Sequence, residues 1–224
     1  MGQPSVNRRG NRAKDIPDTW ECRYFVDVSK LPHAFQHDCL RKEKRFFDQW
    51  EGPHHENDVY LVTADLDVNV KLRKPEELQP SVKLRVCCRH EPDGFELWRT
   101  EIDHGLPAPA EVWREVLAAL KVVEDNAQEL SSLSEPGQVT NELSKAEAIL
   151  SCTEMQKDRW RYSGPQGDVE VARVTAPSLD YYSVSFESID PDPAGIRAIR
   201  AALPTDNLGP PTNYVQLLSR ISPR

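Results

Sequence analysis

From residue 20 onward, apolar and polar residues alternate with a period of two in a series of short runs, the signature of strands with one face buried. Residues 20–28 form the first run, rich in aromatic and β-branched side chains. Residues 58–63, 67–74, 81–90 and 95–102 follow, each bounded by Pro, Gly or Asp. Pro92, Asp93 and Gly94 read as the turn that joins the last two into a hairpin. Residues 156–163, 168–176 and 181–189 resume the pattern, which predicts about eight strands. A helical period replaces it elsewhere. Leu31, Phe35, Cys39, Leu40, Phe46, Phe47 and Trp50 predict a helix over 31–50, and Val112, Trp113, Val116, Leu117 and Leu120 predict one over 109–120. Residues 192–203 and 213–221 predict two closing helices. The Ser-, Glu- and Gln-rich stretch 124–150 reads as a surface excursion, helical after Pro136. Residues 1–19, basic and without an apolar segment, read as a disordered tail before a single domain over 20–224.

The polar positions of the strands are unusual, because a basic residue, any residue and a second basic residue recur three times: Lys71 and Arg73, Lys83 and Arg85, Arg159 and Arg161. Side chains two apart share a strand face, so each pair points one way while Leu72, Leu84 and Trp160 point the other. Arg23 and Glu21 begin the same pattern on the first strand, and Glu170 and Glu187 continue it. A solvated face explains any single pair. Three cationic strands side by side would repel unless carboxylates or a bound anion intervene. An antiparallel closed β-barrel, charged face inward and helices packed on its apolar outside, reconciles the pattern as an α+β fold.

Glu21-Cys-Arg23-Tyr-Phe25, Asp58-Val-Tyr-Leu, Asn69-Val-Lys71-Leu-Arg73, Val82-Lys83-Leu-Arg85, Glu96-Leu-Trp98, Arg159-Trp-Arg161-Tyr, Val169-Glu170-Val, Ser185-Phe-Glu187 and the terminal Asn213-Tyr214 occur in an order and spacing that resembles the CYTH, or triphosphate tunnel metalloenzyme, family. The likeness is to a divergent bacterial branch and spans nearly the whole chain from Trp20 to Ile221. It implies a tunnel barrel of about eight strands that binds a small phosphorylated anion: a triphosphate, a polyphosphate or an organophosphate. Arg23, Lys71, Arg73, Lys83, Arg85, Arg159 and Arg161 would bind phosphate. Glu21, Glu170 and Glu187 would be catalytic and would hold Mg²⁺ or Mn²⁺ for phosphohydrolase chemistry. The family carries Glu-x-Glu-x-Lys on its first strand, whereas Glu21, Arg23 and Phe25 stand here, so a guanidinium replaces one oxygen ligand. Ion pairing of the three glutamates with the arginines is the competing reading, and a non-catalytic phosphate or nucleotide sensor is the functional alternative. The resemblance also implies a monomer or homodimer.

Composition narrows the remaining choices. A net charge of −8 opposes general nucleic-acid binding, which needs a cationic surface. Acidic residues gather at 51–58 and 124–154, where loops and helices are expected, and the second stretch would serve a pure scaffold as a docking loop. There is no apolar run of the roughly 20 residues that a membrane helix needs. The cysteines, five in number with Cys87 and Cys88 adjacent, suit reduced thiols and the cytoplasm. His33, His37, Cys39, His54 and His55 lack the paired spacing of a specific zinc motif. Glycine-rich phosphate loops and nucleophile elbows are absent from the sequence.

Overall fold

The runs of alternating residues become eight strands in the computed structural model, which describes residues 16–74, 79–123, 126–177 and 179–221. Residues 1–15 of the expected tail lie outside this set. The strands are β1 (Thr19–Asp27), β2 (Gln49–Val62), β3 (Val68–Arg73), β4 (Ser81–His90), β5 (Glu96–Gly105), β6 (Ser151–Gly164), β7 (Gly167–Ala176) and β8 (Leu179–Ser188). They close into an antiparallel barrel in the order β1-β5-β4-β3-β2-β6-β7-β8. The seam is β1, which pairs with β8 from Trp20↔Ser188 to Asp27↔Tyr181 and with β5 only from Thr19↔Trp98 to Glu21↔Glu96. Closure gives every strand a neighbour on both sides, with the three-residue β1–β5 contact as the shortest pairing of the ring. The β4–β5 hairpin turns where expected, with Gly94 at a φ of 86°, and a Cβ there would run into the Pro211 ring.

Because the inward face is charged, the apolar face of each strand needs covering from outside. Val70, Leu72, Val82, Leu84 and Ile102 are covered by α2 (Ala110–Ala119), α3 (Ala127–Leu130) and α4 (Pro136–Leu143). Trp113, Val116 and Leu117 of α2 are buried there, each worth roughly 1.5–3 kcal/mol of transfer free energy. On the opposite side, Cys22, Tyr24, Val169, Val171, Val184 and Phe186 are covered by α5 (Ala194–Ala202) and by the segment between β1 and β2. The last helix, α6 (Tyr214–Ile221), behaves differently. Tyr214, Leu217 and Leu218 pack against Tyr60, Val62, Met155, Ala172, Val174 and Leu179, and all six of these share strand faces with the inward charges. The helix therefore fills one end of the barrel.

Two expectations are corrected by these contacts. Residues 31–50 do not form one helix: two short 3₁₀ turns, Val28–Lys30 and His33–Phe35, precede α1 (His37–Leu40), and Trp50 already belongs to β2. Phe35, Leu40 and Phe47 are buried one by one against the barrel, so local packing rather than a continuous helical face uses the hydrophobic residues. The polar run 51–57 is strand, not loop, because β6 pairs with it from Gln49↔Ser163 to Val62↔Ser151 across a bulge at Gly52 and Pro53. The helix expected after Pro136 is α4, and Ala127, Leu130, Val139, Leu143, Ala146 and Ile149 are buried with α2. No helix among the described residues is long and apolar enough to cross a membrane.

Candidate functional site

Alternation along six of the eight strands carries every one of the ten residues singled out in the sequence into one cavity of about 320 Å³ inside the barrel. Glu21 and Arg23 come from β1, Lys71 and Arg73 from β3, Lys83 and Arg85 from β4, Arg159 and Arg161 from β6, Glu170 from β7 and Glu187 from β8. The lumen opens to solvent, since the Arg73, Arg159 and Arg161 side chains are 30%, 25% and 38% exposed. The cavity also takes Glu56, Tyr60, Asn69, Trp98, Thr100, Lys157, Asn213 and Tyr214, which the sequence reading did not assign. Lys157 was legible, because it extends the row of Arg159 and Arg161 by one further step of two. Glu56 was hidden in the run read as loop. Asn213 and Tyr214 give no local signal, since only docking of α6 brings them to the lumen.

On the β1, β7 and β8 side, Arg23 is the hub. It is 6% exposed, and three of its nitrogens meet three different carboxylates: Nε donates to Glu21 at 2.8 Å, Nη2 donates to Glu187 at 3.1 Å and Nη1 donates to Glu170 at 3.4 Å. Nη1 also donates to the Ser183 hydroxyl, and the guanidinium carbon lies 4.7 Å from the centre of the Tyr214 ring. Arg85 donates to the other Glu21 oxygen at 3.0 Å, while Arg159 reaches Glu170 at 3.3 Å and Glu56 at 2.9 Å. Burial penalises the Glu21 carboxylate, but Arg23 and Arg85 outweigh it and hold its pKa down at about 2. Glu187 goes the other way. Burial and then the neighbouring Glu170 and Glu21 carboxylates raise its pKa against the pull of Arg23.

The β2, β3 and β4 side is arranged around lysines. Lys71 and Lys157 each donate to Asp58 Oδ2 at 2.7 Å, and Lys157 also donates to the Tyr60 hydroxyl at 2.7 Å. Burial opposes the Asp58 charge, yet the two ammonium groups keep its pKa far below the usual carboxylate range. Higher on this wall the pairing loosens. Arg73 stands 3.8 Å from both Glu56 and Asp103, and Lys83 stands 3.4 Å from Asp103. Neither makes a tighter bond among the described residues. Burial lowers the Lys83 pKa, and Lys71, Arg85 and Arg73 add repulsion that Asp103 only partly offsets. Nearby, the Nε of Arg159 and the Oδ1 of Asn69 are buried with no hydrogen-bond partner.

The lumen is thus less uniformly basic than its sequence suggests. The seven predicted cations and Lys157 face Glu21, Glu56, Glu170 and Glu187, with Asp58, Asp103 and Asp168 paired to them from the margins. Interspersed carboxylates are one of the two ways to relieve repulsion between cationic strands, and this chain uses them heavily.

The glutamate cluster does not fit a divalent cation as it stands. An ion such as Mg²⁺ or Mn²⁺ needs several oxygens converging on one point, and here the Arg23 guanidinium lies among those oxygens. Among the described residues, the one set of three metal-ligating side chains with atoms within 4.8 Å of each other lies elsewhere, at Asp67, Cys87 and His90. The cysteines are free thiols, with no disulfide between any of them.

No protein-family model and no curated protein sequence matches the chain. Among solved structures it is similar to a putative adenylyl cyclase from Hippeastrum reported to have a dominant triphosphatase activity, at 13% identity over 85% of this chain and 87% of that one, with a TM-score of 0.47. It is also similar to the PH1012 protein of Pyrococcus horikoshii, at 14% identity over 89% and 98% of the two chains and a TM-score of 0.45. A putative adenylate cyclase of Bacillus halodurans gives 13%, 90%, 95% and 0.44 for the same quantities. The closed barrel itself stands on the strand pairings of this chain.

Proposed function

We propose that the lumen binds a small phosphorylated anion, of the triphosphate, polyphosphate or organophosphate class, on the wall formed by Arg73, Lys83 and Arg159, and that it does so without a divalent metal. The observation that carries this reading is the unspent donor capacity of that wall. Arg73 and Lys83 are held only by ion pairs of 3.4–3.8 Å, and the buried Nε of Arg159 has no partner. Phosphoryl oxygens supply what these groups lack: several acceptors on one compact, multiply charged group, suited to forked guanidinium donors and a point-charge ammonium. The cavity volume of about 320 Å³ suits a small ligand. The CYTH resemblance in the sequence supports a triphosphate over a simple carboxylate. Arg23 takes the part of a metal in this reading, as a fixed cation that neutralises Glu21, Glu170 and Glu187 and keeps them from repelling the ligand.

The test is a thermal-shift series with inorganic tripolyphosphate and nucleoside triphosphates in EDTA. A rise in melting temperature that shrinks as salt is added supports the reading. Equal melting with and without every phosphate overturns it. Phosphate release that depends on Mg²⁺ or Mn²⁺ and disappears in Glu170→Gln and Glu187→Gln would instead make the protein the phosphohydrolase that the resemblance implies.

A further inference from the structure

Outside the lumen, the end of β4 brings together a set of side chains that the phosphate reading does not use. Cys87 and His90 are three apart, and on a regular strand they would point to opposite faces. The register of β4 against β5 slips between Cys87↔Trp98 and Arg89↔Leu97, so that Cys88 is an extra residue, and the bulge turns Cys87 and His90 to the same side. Cys87 Sγ lies 3.6 Å from His90 Nε2. Asp67, the residue before β3, is fixed beside them because its carbonyl accepts from the Cys87 amide at 2.8 Å, and its Oδ1 lies 2.8 Å from His90 Nε2. Beyond its approach to His90, the thiol makes a weak contact of 3.5 Å with the Arg89 carbonyl.

A second feature points the same way. The other ring nitrogen of His90, Nδ1, is 3.3 Å from Glu96 Oε1. Glu96 is itself held in place, with Asn213 Nδ2 donating at 3.2 and 3.1 Å to its two oxygens and Trp98 Nε1 donating at 3.0 Å. A carboxylate behind the non-ligating nitrogen is the arrangement that orients a metal-binding histidine and fixes its tautomer. We propose that Asp67, Cys87 and His90 form a binding site for a borderline-soft divalent cation of the Zn²⁺ class, with Glu96 as the positioning residue. Sulfur, imidazole and one carboxylate select such an ion over Mg²⁺ or Ca²⁺. Tetrahedral zinc at normal bond lengths separates a thiolate sulfur from an imidazole nitrogen by roughly 3.6 Å and the nitrogen from a carboxylate oxygen by roughly 3.3 Å. The first distance is already met, and the second requires the half-exposed Asp67 to move back by a few tenths of an ångström. On binding, Cys87 gives up its thiol proton to solvent and a metal–sulfur bond forms, leaving a fourth coordination position open to water.

Titration of the full-length reduced protein with Co²⁺ tests the site. One equivalent should bind with a thiolate-to-cobalt charge-transfer absorption in the near ultraviolet, and Zn²⁺ should displace it. Cys87→Ser should remove the absorption. His90→Ala and Glu96→Gln should each weaken affinity by at least roughly tenfold, and Cys39→Ser should change nothing. In the unaltered protein, Zn²⁺ should shield Cys87 from alkylation but leave Cys88 and Cys39 reactive, a readout that does not depend on any variant folding. Absence of the absorption under excess Co²⁺, its survival in Cys87→Ser, or undiminished alkylation of Cys87 in Zn²⁺ overturns the proposal.

Discussion

The two walls of the lumen are built from the same residue types and solve the same problem in opposite ways. On the β1, β7 and β8 wall, Glu21, Glu170 and Glu187 share Arg23, and Arg85 and Arg159 complete the balance. Each carboxylate there is spent on a guanidinium, and what is left over is the buried Nε of Arg159, which faces the proposed ligand. On the β3 and β4 wall, Arg73 and Lys83 keep distant partners, and the half-buried Lys83 stands among three further cations. A saturated network rigidifies the barrel and has little to offer a ligand, whereas a wall of crowded, under-paired cations gains free energy when an anion arrives. Proximity to a cavity is therefore a poor guide to which charged residues bind, and the state of their pairing is the better one.

The contrast breaks first at Arg23. Arg23→Met leaves three carboxylates buried without their common cation, and loss of one partner from such a network costs about 3–5 kcal/mol. Calorimetry should show a large fall in melting temperature, part of which Mn²⁺ restores in the variant but not in the wild type, because the freed oxygens then suit a hard cation. A variant that melts like the wild type would mean that the saturated wall contributes nothing to stability.

Acid probes the same wall more gently. With the Glu21 pKa lowered from 4.5 to about 2 in the folded protein, its contribution to stability is fully present above pH 4.5 and is lost as pH falls through about 2. The effect should amount to a few kcal/mol of stability near neutral pH and should vanish in Glu21→Gln, whose melting should respond less to acid between those limits. Identical acid profiles for the two proteins would contradict the role given to Arg23 and Arg85.

The smallest expected change in the free protein is on the other wall. Lys83→Met removes an ammonium that its neighbours already disfavour, so melting without ligand should move by no more than roughly 1 kcal/mol equivalent in either direction. The stabilisation by tripolyphosphate should nevertheless disappear. Retention of the full ligand-induced shift in this variant would move the anion site away from β4.

Much of this arrangement was legible in the chain. The rows of Lys71 and Arg73, Lys83 and Arg85, and Arg159 and Arg161 occupy alternate positions on strands whose other face is apolar, and alternation alone forces each row to a single side. The pairing among them was not legible. Asp58, which binds Lys71 and Lys157, opens the 58–63 run, but nothing local to it names its lysine partners, and Glu56, which faces Arg73 and Arg159, lies in a polar stretch that is extended only because β6 pairs with it. The helix expected over 31–50 failed for a related reason, since Phe35, Leu40 and Phe47 satisfy a helical spacing yet are buried by separate contacts with the barrel.

The amino-acid order by itself determined which residues share a strand face, and hence that the basic rows and glutamates lie opposite the apolar surface covered by α2 and α5. That information is local, because a period of two needs no knowledge of any other strand. Closure of the ring, the choice of carboxylate partner for each cation and the filling of one end by α6 were decided only by the tertiary structure. Each depends on which strands become neighbours and in what register, and Arg23 meets Glu170 and Glu187 at sequence separations of 147 and 164 positions.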